Sequence, residues 1–205
     1  MVEDSIKEFD GRQLDRPVIA VDFDGVVTSP HALKSQEFQI RGYDISEQQT
    51  DRNYCLNVRN IEKADYEAVS HAVNVARLDQ VPIRNKAAAG LQQLVDEGLY
   101  PVLVTSRHDE EIPPMLRYVR KHRLPVSEYL NTGRDPKIDA AKTLGARIIV
   151  DDSLSKLERF LEEEDGEWTL IFFQNKANSY VESVPERVHV VDGWDALVTC
   201  ILQES

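Results

Sequence analysis

A doubly wound α/β fold with a mainly parallel sheet is predicted by three observations. Five short runs dominated by Val, Ile, Leu and Phe stand along the chain: PVIAVDFD at 17–24, YPVLVTS at 100–106, ARIIVDDS at 146–153, WTLIFF at 168–173 and RVHVVD at 187–192. Unbroken apolar runs of this length suit strands covered on both faces. Segments with helical apolar spacing separate them, which is the alternation of a crossover-connected parallel sheet. Several runs also end in acidic or hydroxyl residues, where the strands of an open α/β sheet face a ligand crevice.

Taken in order, residues 1–16 (MVEDSIKEFDGRQLDR) read as an N-terminal tail, since acids stand where a signal peptide carries a basic start and an apolar stretch. The first strand follows and ends in Asp22, Phe23, Asp24 and Gly25. Residues 30–80 hold no convincing long strand. Within them ISEQQTDRNYCLNV and KADYEAVSHAVNVARLD look helical, the second with Tyr66, Val69, Val73 and Ala76 at three- and four-residue steps. This interval is expected to be a small helical cap inserted after the first strand. Residues 17–29 and 81–205 are expected to form the α/β core. Its helices are NKAAAGLQQLVDEG at 85–98, with a glycine at the stop, PPMLRYVRKHR at 113–123, DPKIDAAKTLG at 135–145 and SLSKLERFLEEEDG at 153–166. The acidic run LEEEDGE at 161–167 reads as a solvated helix end.

At 205 residues the chain suffices for one principal domain with a modest insertion. Its 24 basic and 36 acidic residues give a formal net charge of -12, which argues against nonspecific attraction to nucleic acid or an anionic membrane. Cys55 and Cys200 are far apart and form no CxxC, so neither a zinc site nor a disulfide framework is indicated. No run of about eighteen apolar residues occurs. A soluble cytoplasmic protein is the expectation.

The chemistry is concentrated at the strand exits: Asp22 and Asp24, then Thr105 and Ser106, then Asp151 and Asp152. Side chains alternate along extended backbone, so Asp22 and Asp24 share a side while Phe23 turns toward packing. One aspartate at a strand end is commonly a cap or turn acceptor. Four converging carboxylates are different, because two unit charges about 4 Å apart repel by roughly 4 kcal/mol at an effective dielectric near 20. A hard divalent cation such as Mg²⁺, bound by oxygen ligands, removes that conflict.

The ordered set DFDGVVT, VLVTS, the lysine of DPKIDAAK, and IIVDDS resembles the motifs of the haloacid dehalogenase (HAD) superfamily of phosphohydrolases. The resemblance implies a Rossmann-like, HAD-like core. It makes Asp22 the nucleophile, Asp24 the proton carrier, Thr105 and Lys137 the phosphoryl-holding catalytic residues, and Asp22, Asp24, Asp151 and Asp152 the Mg²⁺ site. Lys142 is expected on a solvated helix face instead. Ser106, Arg107 and Arg41 are candidate substrate contacts, with Tyr43 and Arg52 beside them, and His108 is expected near the cleft without a catalytic step. The tail IFFQNKANSY with RVHVVDGWDAL resembles the 5'-nucleotidase and deoxyribonucleotidase branch. The implied activity is hydrolysis of a small phosphorylated metabolite through an aspartyl-phosphate, with nucleotides among the candidates. The alternative is a receiver-like or nonhydrolytic metal- and phosphate-binding regulatory protein. The leaving group is open, and so is the oligomeric state, since small caps are sometimes completed by a partner subunit.

Overall fold

The computed structural model describes residues 6–133, 135–163 and 166–205. Seven strands form one sheet: β1 (Lys7–Glu8), β2 (Val18–Val21), β3 (Tyr100–Thr105), β4 (Glu128–Asn131), β5 (Ile148–Asp151), β6 (Thr169–Phe173) and β7 (Val188–Val191). Every pairing is parallel, in the order β1-β4-β3-β2-β5-β6-β7. The five apolar runs are all strands, and the helices between them pack on both faces.

Alternation along the strands decides which layer each side chain joins. Ile19, Val21, Leu103, Ile148, Val150, Ile171 and Phe173 face one core. That layer is closed by α3 (Ala87–Asp96), α4 (Ile112–Lys121) and α7 (Trp194–Glu204). Val18, Ala20, Val102, Val104, Ile149, Leu170 and Phe172 face the other, closed by α5 (Lys137–Leu144) and α6 (Leu154–Leu161). With both faces buried, no residue of β2 is left to solvent.

Two strands lie outside the sequence reading. Glu128–Asn131 carries one apolar face residue in two and gives no apolar run. Residues 6–9 belong to the expected tail, yet Lys7–Glu8 pairs with β4, Phe9 N donates to Tyr129 O at 2.8 Å, and Ile6 and Phe9 bury on opposite layers. The tail therefore contributes an edge strand, too short and too charged to be recognised alone.

Between β2 and α3 every element is helical. α1 (His31–Ile40) and α2 (Lys63–His71) are joined by a 3₁₀ turn at Glu47–Gln49 and a π turn at Tyr54–Val58, and a second π turn, Ala72–Ala76, follows α2. Phe38, Ile45, Cys55, Ile61, Tyr66 and Val69 form a small core of their own. The segments that enter and leave this helical stretch pair with each other: Ser29 N donates to Pro82 O and Arg84 N to Val27 O, each at 2.9 Å. Of the acidic run at 161–167, Glu164 and Asp165 lie outside the described residues, while Glu163 pairs with Lys142. Among the described residues no helix is long and apolar enough to cross a membrane.

Candidate active site

The chain leaves β2 for β3 and β4 on one side, then returns for β5 to β7 on the other. The sheet order therefore reverses between β2 and β5, the place where open α/β sheets gather ligands beyond their strand ends. Asp22 follows β2 and its backbone N–H donates to Val150 O of β5 at 2.9 Å, which brings it beside Asp151 and Asp152. One carboxylate oxygen from each of Asp22, Asp151 and Asp152 lies within 4.8 Å of the others.

The turn after Asp22 is built from its own sequence. Val27 N and Thr28 N both donate to Phe23 O, and Gly25 N donates to Thr28 O at 3.0 Å. Thr28 Oγ1 lies 3.2 Å from Phe23 O and 3.4 Å from Asp24 Oδ1. Gly25 has φ +92° and sits against Asp152: a Cβ there would stand 1.8 Å from Asp152 Oδ2. Glycine is thus required twice, for the backbone angle and for the close approach. Trp194, at the start of α7, donates its indole N–H to Val26 O at 2.9 Å and anchors the turn from beneath.

Two lysines compensate the acids. Lys137, the first residue of α5, bonds Asp22 Oδ1 and lies 2.7 Å from Asp151 Oδ2. Lys156, in the first turns of α6, lies 3.5 Å from Asp151 and 4.0 Å from Asp22. Burial lifts Asp22 above the ordinary carboxylate range, with Lys137 opposing and Asp151 adding. Asp152 is pushed up to about 8 by burial, then by the charges of Asp22 and Asp151. Burial also lifts Asp151, but Lys137 and Lys156 outweigh it and the net shift is downward. For Lys156 the burial penalty is overcome by the surrounding carboxylates, and its pKa rises. The three-acid set is oxygen-only, and burial raises Asp22 and Asp152 against their charged forms, a conflict that a hard divalent cation would relieve.

Asp24 is separate from this set. Its carboxylate takes both arms of Arg107, Nε to Oδ2 at 3.0 Å and Nη2 to Oδ1 at 2.8 Å. The side chain that was expected among the metal ligands is occupied by a guanidinium. Burial raises its pKa, yet the charge and hydrogen bonds of Arg107 prevail and hold it below the usual carboxylate range. Arg107, expected as a substrate contact, is only 3% exposed and also reaches Asn74 Oδ1 at 3.3 Å, so it joins the sheet domain to the insertion.

The site residues surround a cavity of about 330 Å³ lined by Asp22, Asp24, Thr105, Lys137, Asp152 and Lys156 among others. Ser106, Arg107, His108 and Arg52 also line it. Arg41 does not: just past the end of α1, it pairs with Glu37 one helical turn back at 2.6 Å. Tyr43 likewise bonds Asp65 away from the cavity. The asparagines near 175 serve Asp152: Asn175 Nδ2 donates to its Oδ2 at 3.1 Å and Asn178 Nδ2 to its backbone O at 2.8 Å. Lys156, His31 and Lys34 were missed from sequence. Only Lys156 left a signal, standing four residues after Asp152 where the first helical turn faces back to the strand end.

No family model matches the sequence, and no curated protein matches it. Solved structures do match. A HAD family hydrolase from Deinococcus radiodurans R1, with bound phosphate and sodium, aligns at TM-score 0.61 and 17% identity over 92% of this chain and 95% of its own. The chain has the haloacid dehalogenase fold. A predicted phosphatase from Clostridium acetobutylicum shares this haloacid dehalogenase fold at TM-score 0.64 and 15% identity, covering 92% and 99% of the two chains. So does a D,D-heptose 1,7-bisphosphate phosphatase from B. bronchiseptica complexed with magnesium and phosphate, at TM-score 0.54 and 15% identity over 92% and 99%.

Proposed function

We propose that the protein is a Mg²⁺-dependent hydrolase of small phosphomonoesters that works through an aspartyl-phosphate on Asp22. The observation that carries this reading is the meeting of Asp22, Asp151 and Asp152 with Lys137 at the reversal point of the sheet. Asp22, Asp151 and Asp152 would hold Mg²⁺, which supplies charge neutralisation at the attacking carboxylate and the phosphoryl oxygens. Asp22 attacks phosphorus as the ester oxygen departs, and water then releases phosphate and restores the carboxylate. Lys137 and Lys156 lie where they offset the charge of the transferred group, and Thr105 offers a hydroxyl to one of its oxygens. Asp24 protonates the departing alkoxide in the first step and takes a proton from the attacking water in the second. Arg107 favours the ionised form of Asp24, so the second task is the easier one. The insertion at 30–80 covers the leaving-group side as a cap. The structural neighbours whose names include phosphatase support the reaction class.

Phosphate release from p-nitrophenyl phosphate with Mg²⁺ tests the reading. Turnover is expected, with loss of at least a thousandfold in Asp22→Asn and abolition by EDTA that added Mg²⁺ reverses. Turnover that survives Asp22→Asn excludes the nucleophile, and no release from any phosphomonoester in a broad panel makes the protein a binding or regulatory one.

A further inference from the structure

On the side of the cavity formed by residues 30–80, three polar groups have capacity that no atom of the described residues uses. His31 and Lys34, three residues apart on α1, lie on one face of the helix. His31 lines the cavity and is 7% exposed, and its buried Nε2 has no hydrogen-bond partner among the described residues. Its Nδ1 lies 3.0 Å from Thr50 Oγ1. The Thr50 hydroxyl donates its own hydrogen to Glu47 O at 3.0 Å, so toward His31 it acts as acceptor. The ring proton therefore sits on Nδ1, and Nε2 presents a lone pair. Burial, with the nearby charges of Lys34 and Arg84, pushes this imidazole down to about 3 and keeps it neutral.

Lys34 also lines the cavity. Its Nζ lies 3.4 Å from the Tyr66 hydroxyl and has no carboxylate within 4.0 Å among the described residues. Ser70, on α2, lines the same space and has a buried hydroxyl with no hydrogen-bond partner among the described residues. A charged donor, an obligate acceptor and a hydroxyl thus share one wall.

We propose that His31, Lys34 and Ser70 form a subsite for the hydroxyl groups of the leaving group, so that the substrate is a phosphorylated sugar or polyol. This inference rests on the hydrolase reading above. A hydroxyl both donates and accepts, and so satisfies Nε2 and Nζ together. A second anionic group would suit Lys34 but would meet the His31 lone pair. A nucleobase needs an aromatic face, and among the described residues Tyr66 is the one Tyr, Phe or Trp lining the cavity, with Lys34 Nζ already 5.5 Å from its ring centroid.

The test compares kcat/KM, with Mg²⁺, for hexose 6-phosphate, ribose 5-phosphate and glycerol phosphate against nucleoside monophosphates and p-nitrophenyl phosphate. The best sugar or polyol phosphate is expected to exceed the nucleotides by about tenfold or more. In Lys34→Met and His31→Leu the ratio of that substrate to p-nitrophenyl phosphate is expected to fall about tenfold, mainly through KM, and His31→Gln, which keeps an acceptor, to recover part of it. Should the His31 variants fail to fold, the ratio in Lys34→Met decides alone. A nucleotide preference, or an unchanged ratio in Lys34→Met, overturns the subsite while p-nitrophenyl phosphate turnover leaves the hydrolase standing. No turnover of any ester removes both.

Discussion

At Asp24 two influences oppose each other: burial disfavours the charge, and the paired arms of Arg107 favour it and prevail. A proton carrier held ionised is a ready base and a reluctant acid. Esters whose leaving groups need a proton should therefore lag behind p-nitrophenyl phosphate near neutral pH, where Asp24 is held ionised. In Arg107→Met, with burial no longer opposed by the guanidinium, the kcat/KM of an alkyl phosphate relative to p-nitrophenyl phosphate is expected to rise, read near neutral pH after circular dichroism confirms the fold. An unchanged ratio would assign Arg107 to the contact with Asn74 rather than to the protonation of Asp24. Asp22, Asp24, Asp151 and Asp152 were legible in the sequence because a strand end places neighbours in sequence beside each other in space. His31 and Lys34 were not, since a lone histidine or lysine on a helix looks the same whether it faces a cleft or solvent.

Among the elements, the turn at 22–28 that carries Asp22 and Asp24 is supported by contacts that cross the fold, and α7 supplies one of them. Trp194 is buried and gives its indole N–H to Val26 O at 2.9 Å. Its ring also fills the space beside Gly90 of α3, where a Cβ would come within 2.5 Å of it. Trp194→Phe removes the donor and leaves a buried carbonyl unpaired, at a cost of about 1–3 kcal/mol. For a chain of this size that lowers the midpoint of thermal unfolding by roughly 2–4 °C per kcal/mol, so a fall of several degrees is expected by scanning calorimetry. An unchanged midpoint would mean that the turn holds itself through Thr28. The tryptophan was visible in the sequence as the start of the last helix, but its partner, 168 residues away, was not. The same distinction separates the strands. β2, β3, β5 and β6 announce themselves by apolar runs buried on both faces, and the edge strand β7 by its valines although His189 and Val190 are exposed, whereas β1 and β4 carry charged and polar residues and take their places by pairing, β1 on β4 and β4 on β3. Between residues 30 and 80 the helical spacing was readable, but the π turns depend on packing that local sequence does not state, Tyr54–Val58 through Cys55 in the small core around Phe38 and Ala72–Ala76 through Val73 in the main core.

Across the whole molecule, the acidic cluster couples metal binding to stability. Asp152 is pushed up to about 8 by burial and by Asp22 and Asp151, while its unfolded counterpart titrates near the ordinary carboxylate value of about 3.9. Between those values the folded state binds more protons than the unfolded one, so the contribution of this group is fully present below the lower pKa and is lost as pH rises toward 8. Metal-free protein should accordingly become less stable across that window. The proposed Mg²⁺ should act in the opposite sense, because it would take the place of the proton and bind only the assembled cluster. At a concentration one hundred times its dissociation constant it stabilises by about 2.7 kcal/mol, which for a chain of this size corresponds to roughly 5–11 °C. Thermal melts with EDTA and with Mg²⁺ from pH 5 to pH 8.5 check this directly. The gap between the two curves is expected to widen with pH and to shrink sharply in Asp152→Asn, which removes both the titration and a ligand. A gap that stays constant with pH, or persists in that variant, would place the cation elsewhere than on the carboxylates of β2 and β5.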